Sequence, residues 1–314
     1  MPSLTPIFLA GPTAVGKSAI ALQLAELLAG EIISVDSMQV YRGLDIGTAK
    51  PSAAERVRVP HHLIDVADLS ESFDAARFIR LAQAAREEIQ ARGRVPIFCG
   101  GTGLYFKAFL DGLGQAPPAD PQVRGELENI PLPVLLTELE KSDPVTFGKI
   151  DRQNPRRVIR ALEVIRLTGK PFSVQRSAWS ANDPSDSRIS AGPFFVLTRA
   201  PGDLQRRIDL RVEEMFRRGL VSETEFLLTH GLEQNRTAMQ AIGYRQVVEH
   251  LSGERSLSAT SELVKVRTKQ FAKRQLTWFR RHARAVWITL EPSATPDETA
   301  AQLAENYRAT RLPT

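Results

Sequence analysis

The sequence predicts an α/β fold in which a parallel sheet flanked by helices carries a mostly helical insertion. Short apolar runs alternate with helical patterns in the first third of the chain, which is typical of a parallel sheet with helices on both faces. The pattern changes after Gly112, and five prolines follow within residues 115–133. An apolar run of strand length returns only near Phe194, so we expect the stretch between to be an inserted unit.

Each element in the first part of the chain has its own signal. Ile20, Leu24 and Leu28 recur at helical spacing, whereas the neighbouring apolar runs are short and continuous. Strands are expected at residues 6–10, 31–35, 61–66 and 95–99, and helices at residues 17–28 and 74–91. We also expect the second strand to lie beside the first.

The remaining elements define the domain boundaries. Helices are expected at residues 135–139 and 158–167, followed by a polar loop at residues 181–192. Strands are expected at residues 194–198 and 286–290, and helices at residues 203–218, 221–229 and 258–283. We therefore predict a core of residues 1–115 and 190–314 and a helical insertion of residues 116–189.

Composition narrows the class of protein. The chain has 314 residues, 42% of them hydrophobic, which suffices for one large domain or one domain that carries a smaller one. Cys99 is the single cysteine, so neither a disulfide framework nor a cysteine-based zinc site is expected. No apolar run approaches the roughly 18 residues of a transmembrane helix. We expect a cytoplasmic monomer with no membrane partner.

Positive charge is concentrated in two blocks of a chain whose net charge is only +5. Residues 236–284 hold 11 Lys and Arg against 3 Asp and Glu, and residues 152–176 hold 7 against the single Glu163. Two basic blocks in an otherwise acidic chain indicate a polyanionic partner such as a nucleic acid. Charge alone leaves open the alternative of two solvated helix faces.

The most specific local motif is GPTAVGKS at residues 11–18, which fits G-x-x-x-x-G-K-[ST] between a predicted strand and a predicted helix. Glycines let backbone N–H groups converge on an oxyanion, and the helix N-terminus adds partial positive charge. Lys17 supplies a full charge, and the Ser18 hydroxyl is expected to bind Mg²⁺. The motif predicts a P-loop-type core. The residues expected to bind a di- or triphosphate are Gly11, Thr13, Ala14, Val15, Gly16, Lys17 and Ser18.

The motif does not identify ATP as the ligand. A nucleotide kinase normally has an acidic residue at a strand end to hold its metal ion. Here the run at residues 95–99 ends in Gly-Gly-Thr-Gly instead. A kinase of small metabolites therefore stays open as an alternative.

Asp36 follows the second predicted strand, at the sheet edge where open α/β folds place their ligands. This position makes Asp36 a candidate metal ligand or general base. The competing interpretation is an Asx turn, the usual role of an aspartate after a strand.

Further segments occur in a fixed order from about residue 7 to about residue 290. They are DSMQVYR at 36–42, DIGTAKP at 45–51, HHLID at 61–65, GGTGLY at 100–105, RALEV at 160–164, TGK at 168–170, QAIGYRQ at 240–246 and TKQFAKRQLTW at 268–278. This ordered set resembles the motifs of the bacterial tRNA dimethylallyltransferases, also called the tRNA isopentenyltransferase or IPP transferase family. It is far more specific than a phosphate loop alone.

The resemblance implies a reaction. A dimethylallyl group would pass from dimethylallyl diphosphate to N6 of adenosine 37 in the anticodon loop of tRNAs, and diphosphate would leave. The phosphate loop would hold the donor's diphosphate, with Mg²⁺ at Ser18. Asp36 would take the proton from N6 as the general base, and Thr102 would orient the reacting groups.

The resemblance also implies an RNA surface. The target base must be splayed out of its stack to reach the donor. The residues implied to contact tRNA are Asp36, Ser37, Met38, Gln39, Arg124, Arg156, Arg157, Val158, Ile159, Arg160, Gly243, Tyr244, Arg245 and Gln246. The two basic blocks would then grip the phosphates of the anticodon stem-loop. Trp278, Phe279 and Trp287 are either stacking platforms for bases or parts of the core.

Three alternatives remain at this point. One is the small-molecule kinase, which would need ATP. Another is an adenylate isopentenyltransferase, which would prenylate free AMP or ADP and need little RNA surface. The third is an RNA-binding module whose phosphate loop no longer functions, although an intact Lys17 and Asp36 argue against it.

Overall fold

Six parallel strands form one sheet in the computed structural model, which describes residues 4–113, 116–176, 192–283 and 285–310. They are β1 (Ile7–Ala10), β2 (Gly30–Val35), β3 (His61–His62), β4 (Val95–Gly100), β5 (Phe194–Arg199) and β6 (Val286–Leu290). Their order across the sheet is β3-β2-β4-β1-β5-β6, and every neighbouring pair is parallel. The predicted α/β class with a parallel sheet is confirmed.

Helices flank this sheet and build the insertion. They are α1 (Lys17–Leu28), α2 (Ala53–Arg58), α3 (Ala75–Ala91), α4 (Gly103–Asp111), α5 (Pro121–Glu128), α6 (Leu132–Ser142), α7 (Pro144–Lys149), α8 (Pro155–Thr168), α9 (Phe172–Arg176), α10 (Pro201–Arg217), α11 (Leu220–Leu228), α12 (Tyr244–Leu251), α13 (Leu257–His282) and α14 (Pro296–Ala309). The helix predicted at residues 17–28 and the strand predicted at residues 286–290 are confirmed to the residue. Sequence reasoning missed α14, whose buried Leu303 and Tyr307 extend the core.

The sheet order corrects one expectation. β2 does not lie beside β1, because β4 runs between them and pairs with both. Ala10 and Val35 are both in register with Gly100. A Cβ on Gly100 would lie 2.1 Å from the carbonyl oxygen of Val35, so glycine permits the close approach at this point. The phosphate loop after β1 and Asp36 after β2 therefore flank the turn that follows β4.

The third strand is also shorter than predicted. It covers only His61 and His62, because Leu63 (φ 62°) and Asp65 (φ 56°) adopt left-handed backbone conformations that a strand does not accommodate. The turn brings the Asp65 carboxylate within 2.5 Å of the Lys50 ammonium. The residues expected at the end of the strand therefore form a turn, and Asp65 in this turn makes an ion pair with Lys50.

The chain divides into two compact units, residues 1–109 with 190–314, and residues 110–189. The second unit has its own apolar core, to which α5, α6 and α8 contribute Leu127, Leu139 and Leu162. Prolines mark helix starts here, as at Pro121 and Pro155, because their missing N–H would find no partner in the first turn. The loop predicted at residues 181–192 lies outside the described residues except for Gly192.

No helix in the described part of the chain is long and apolar enough to cross a membrane.

Candidate active site and nucleic-acid surface

The phosphate loop joins β1 to α1 through backbone that favours glycine. Gly16 caps the helix at φ 111°. The first helical hydrogen bond runs from the amide of Ile20 to the carbonyl of Gly16, so the amides of residues 17–19 have no helical acceptor. These amides, together with the helix dipole, form an anion cradle.

Lys17 is the charged member of this cradle. Its Nζ donates to the carbonyl of Pro12 at 2.7 Å. The pKa of the Lys17 ammonium is lowered to about 8, chiefly by desolvation and in part by nearby Arg211, while Cys99 and Asp36 oppose the shift. The ammonium is thus poorly solvated and gains from a bound anion.

Arginines of β5 and α10 border the loop, and sequence reasoning missed them. Arg207 Nε donates to the carbonyl of Ala14 at 3.0 Å, and Arg199 Nε donates to the carbonyl of Val15 at 2.9 Å. Arg211 also lies at this site, where burial lowers its pKa and the Asp36 charge opposes that shift. A pocket of about 350 Å³ is lined by Ala14, Gly16, Lys17, Ser18, Ala19, Arg207, Leu210 and Arg211.

The sequence left two interpretations of Asp36 open, an Asx turn and a functional carboxylate, and the contacts of Asp36 agree with both. Its Oδ1 accepts the amides of Met38 at 2.8 Å and Gln39 at 3.2 Å, which is an Asx turn. Among the residues that the structure describes, its Oδ2 accepts no hydrogen bond. The carboxylate also acts electrostatically on Lys17 and Arg211. The turn therefore holds the carboxylate while one oxygen stays available at the phosphate site.

Thr102 links the turn after β4 to the Asp36 segment. Its amide donates to the carbonyl of Val35 at 3.1 Å, and its Oγ1 accepts the amide of Ser37 at 3.1 Å. Both contacts fall on residues adjacent to Asp36. The hydroxyl hydrogen of Thr102 has no acceptor among the described residues and can be donated to a ligand.

Ion pairs and an amide fix the loop that follows Asp36. The Lys50 ammonium is buried and contacts Asp45 at 2.7 Å and Asp65 at 2.5 Å, and Arg56 also contacts Asp65. The Gln39 side chain donates to the carbonyl of Thr48 at 3.1 Å. These motifs therefore shape the loop, and the Gln39 amide is already engaged.

The residues at the start of α12 that were predicted to contact RNA differ in their exposure to solvent. Tyr244 is fully buried, and its hydroxyl donates to Glu223 at 2.5 Å. Gln246 is buried and accepts the amide of Gly243 at 2.9 Å. Arg245 is 62% exposed and pairs with Glu249. Of this segment, only Arg245 presents a charged side chain to a partner.

The candidate RNA residues of the insertion divide in the same way. Val158 and Ile159 are buried in the apolar core of that unit. Arg124 and Arg160 both reach the fully buried carboxylate of Glu163, at 2.7 and 2.8 Å.

Arg156 and Arg157 stand exposed at the α8 N-terminus, where the helix has no acidic residue in its first turn. The helix dipole disfavours cations at that end, so an anion bound to Arg157 would be favourable there.

The second basic block, residues 236–284, includes helix α13, which has an exposed face and a buried face. Arg267, Phe271 and Arg274 are exposed, and the Arg274 guanidinium lies 5.8 Å from the Phe271 ring. Phe279 is fully buried, which confirms core packing for that aromatic. The Trp278 ring packs so tightly on Gly103 that a Cβ there would lie 2.2 Å away.

Two other candidate groups have local partners. His62 Nε2 lies 2.7 Å from buried Glu31, and His61 Nδ1 lies 2.7 Å from the carbonyl of Val59. Burial raises the pKa of the Cys99 thiol to about 11, so it is not a reactive thiolate. No His, Cys, Asp or Glu cluster able to hold a metal ion occurs among the described residues.

A comparison with known proteins decides the family. The IPP transferase family model matches residues 39–282. The chain belongs to the IPP transferase family. A tRNA dimethylallyltransferase 1 of Trichlorobacter lovleyi is 46% identical over 301 residues, which cover 94% of this chain and 97% of the relative. That of Citrifermentans bemidjiense is 44% identical over 282 residues, covering 90% and 91%.

Solved structures agree with this assignment to the IPP transferase family. The tRNA isopentenylpyrophosphate transferase of Bacillus halodurans has a TM-score of 0.70 and 39% identity, covering 97% of this chain and 96% of that one. A eukaryotic dimethylallyltransferase acting on tRNA has a TM-score of 0.80 and 30% identity, covering 99% and 81%.

Proposed function

We propose that this IPP transferase transfers a dimethylallyl group from dimethylallyl diphosphate to N6 of adenosine 37 in tRNA anticodon loops and releases diphosphate. One observation carries the proposal: the phosphate loop follows β1 and Asp36 follows β2, on either side of the turn after β4, and Asp36 also interacts electrostatically with Lys17 and Arg211. A phosphate loop beside a carboxylate with a free oxygen suits transfer to a nucleophile that must lose a proton.

Departure of the diphosphate is the first requirement of this chemistry. As the C–O bond breaks, negative charge grows on the leaving oxygen. The free amides of residues 17–19, the Lys17 ammonium and the Arg211 guanidinium would stabilise this charge without reorganisation. Arg207 and Arg199 would act indirectly, because their Nε atoms hold the loop carbonyls of Ala14 and Val15.

Activation of the acceptor is the second requirement. Adenine N6 is a weak nucleophile because its lone pair is delocalised into the ring, and the allylic carbon compensates by being partly cationic. In this proposal N6 attacks that carbon, the C–O bond electrons leave with the diphosphate, and Oδ2 of Asp36 takes the N6 proton. The Thr102 hydroxyl, next to the Asp36 segment, would orient the reacting groups.

Mg²⁺ fits the site as an ion that arrives with the diphosphate. The Ser18 side chain is exposed at the start of α1 and would be its protein ligand. Mg²⁺ keeps several waters and binds substrate phosphates with few protein ligands, which agrees with the absence of an acidic cluster among the described residues. When bound, the ion would neutralise charge on the diphosphate.

Exposed cations on both units support tRNA as the acceptor. We assign phosphate contacts to Arg156 and Arg157 of the insertion and to Arg245, Arg267 and Arg274 of the core. Ser37 and Met38 would line the passage for the flipped base. Val158, Ile159, Tyr244 and Gln246 would support the surface from beneath, and Arg124 and Arg160 would contact RNA while paired with Glu163.

Thermal unfolding in the presence of ligands tests the donor. A non-reactive analogue of dimethylallyl diphosphate should raise the melting temperature, and an ATP analogue at equal concentration should not. The reverse result would support a small-molecule kinase. Labelled AMP offered in place of tRNA addresses an adenylate isopentenyltransferase, for which the exposed arginines of α8 and α13 would have no use.

A further inference from the structure

Gln275 on α13 is a buried amide to which the proposed chemistry gives no role. Its Oε1 accepts the amide of Thr13 at 2.9 Å, and its Nε2 donates to the carbonyl of Gly101 at 2.9 Å. One side chain therefore joins the phosphate loop to the turn after β4. These segments lie far apart along the chain, at the ends of the neighbouring strands β1 and β4, and Gln275 adds a side-chain bridge between them.

The second of these segments leads directly to the proposed base. Gly101 precedes Thr102, whose amide and hydroxyl contact Val35 and Ser37 on either side of Asp36. A path of hydrogen bonds, joined by the peptide bond between Gly101 and Thr102, thus runs from the loop that would hold the leaving group to the segment that would accept the proton. Gln275 is the link between its two halves.

Close packing leaves this link little freedom. A Cβ on Gly101 would lie 2.3 Å from Gln275 Nε2, so α13 sits directly on the turn. The amide offers both a donor and an acceptor, and each is used at 2.9 Å. Leucine offers neither, and an ionised glutamate offers only acceptors.

We propose that Gln275 is a positioning residue for the transfer reaction: it sets the distance between the diphosphate cradle and the Asp36–Thr102 segment. This inference rests on the proposed function. Gln275 touches no reacting atom and acts through Thr13 and Gly101. Reacting atoms must lie about 3–3.5 Å apart, and a displacement of about 1 Å can cost about 100-fold in rate.

The test compares Gln275→Leu and Gln275→Glu with the matched variants Gln83→Leu and Gln83→Glu on the exposed face of α3. Single-turnover rates at saturating dimethylallyl diphosphate and tRNA separate positioning from binding. Gln275→Leu should lose about 100-fold in rate while the tRNA dissociation constant changes less than about twofold. Gln275→Glu keeps the acceptor for Thr13 and should lose about tenfold.

Unchanged rates in folded Gln275→Leu would overturn the proposal, as would a loss confined to the tRNA dissociation constant. A purely structural role would lower the melting temperature and leave the rate below that temperature unaffected. If Gln275→Leu does not fold, Gln275→Glu decides: a loss beyond about fivefold supports positioning, and a normal rate contradicts it. Failure of the proposed function itself would appear differently, as no prenyl transfer by the wild type and the Gln83 variants.

Discussion

The phosphate site of the core, with Lys17 and Arg211, and helix α8 of the insertion both carry positive charge, but the two regions use it differently. Lys17 and Arg211 lie at a pocket without an ion pair in the described structure, and desolvation lowers the pKa of each. Arg124 and Arg160 are instead neutralised by the buried Glu163. The number of basic residues in a sequence therefore does not measure the capacity to bind an anion. That capacity depends on whether acidic side chains lie beside them in the folded protein.

The core should carry the chemistry, so replacing Asp36 should have the largest effect of all. Asp36→Ala removes the acceptor for the N6 proton and should lower turnover by about 100- to 10,000-fold. The tRNA dissociation constant should stay within about threefold, because other residues carry the phosphate contacts. Single-turnover kinetics and a filter-binding assay measure the two quantities. Near-normal turnover would remove Asp36 as the base.

Lys17 and Arg211, for which the described part of the chain shows no ion pair, should matter next. Lys17→Ala and Arg211→Ala each remove charge from the cradle and should lower kcat/KM for the donor by about 100- to 1,000-fold. Arg217→Ala is the matched control, because Arg217 lies on the same helix as Arg211 and pairs with Glu214 at the surface. If Arg211→Ala behaved like this control, Arg211 would not belong to the cradle.

The desolvated lysine should also make donor binding depend on pH. Its pKa of about 8 is below its ordinary value, so the positive charge is present below about pH 8 and lost above it. Raising the pH from about 7 to about 9 should weaken donor binding about tenfold. Lys17→Ala should abolish this dependence in a calorimetric titration. An equal pH response in that variant would assign the effect to another group.

The insertion should show the smallest effects, and its two kinds of arginine should differ. Arg157→Glu should weaken tRNA binding about tenfold at low salt and reduce the salt slope by about 1. Arg160→Glu should instead destabilise the fold by about 3 kcal/mol, since it leaves the buried Glu163 beside a second carboxylate. Arg80→Glu, an exposed arginine of α3, is the control for net charge. Equal salt slopes for Arg157→Glu and this control would exclude phosphate contact at Arg157.

The sequence predicts the features that are formed by consecutive residues and misses those formed by residues far apart in the chain. The phosphate loop and the Asp36 turn each lie within a few consecutive residues, so their geometry follows from local motifs. Arg211 and Gln275 reach the site from distant helices and have no local signature, and the pairing of Arg124 with Glu163 spans 39 positions. The order of β1, β4 and β2 likewise depends on packing across the sheet, which no adjacent pair of segments reveals.

The most direct test of the transfer reaction is to incubate the protein with labelled dimethylallyl diphosphate and either unmodified tRNA or AMP, and then to analyse the nucleosides. The proposed function predicts label on N6 of adenosine 37 in tRNA, loss of this product in Asp36→Ala, and little product from AMP. Label on AMP alone, or no transfer to tRNA by the wild type, would contradict it.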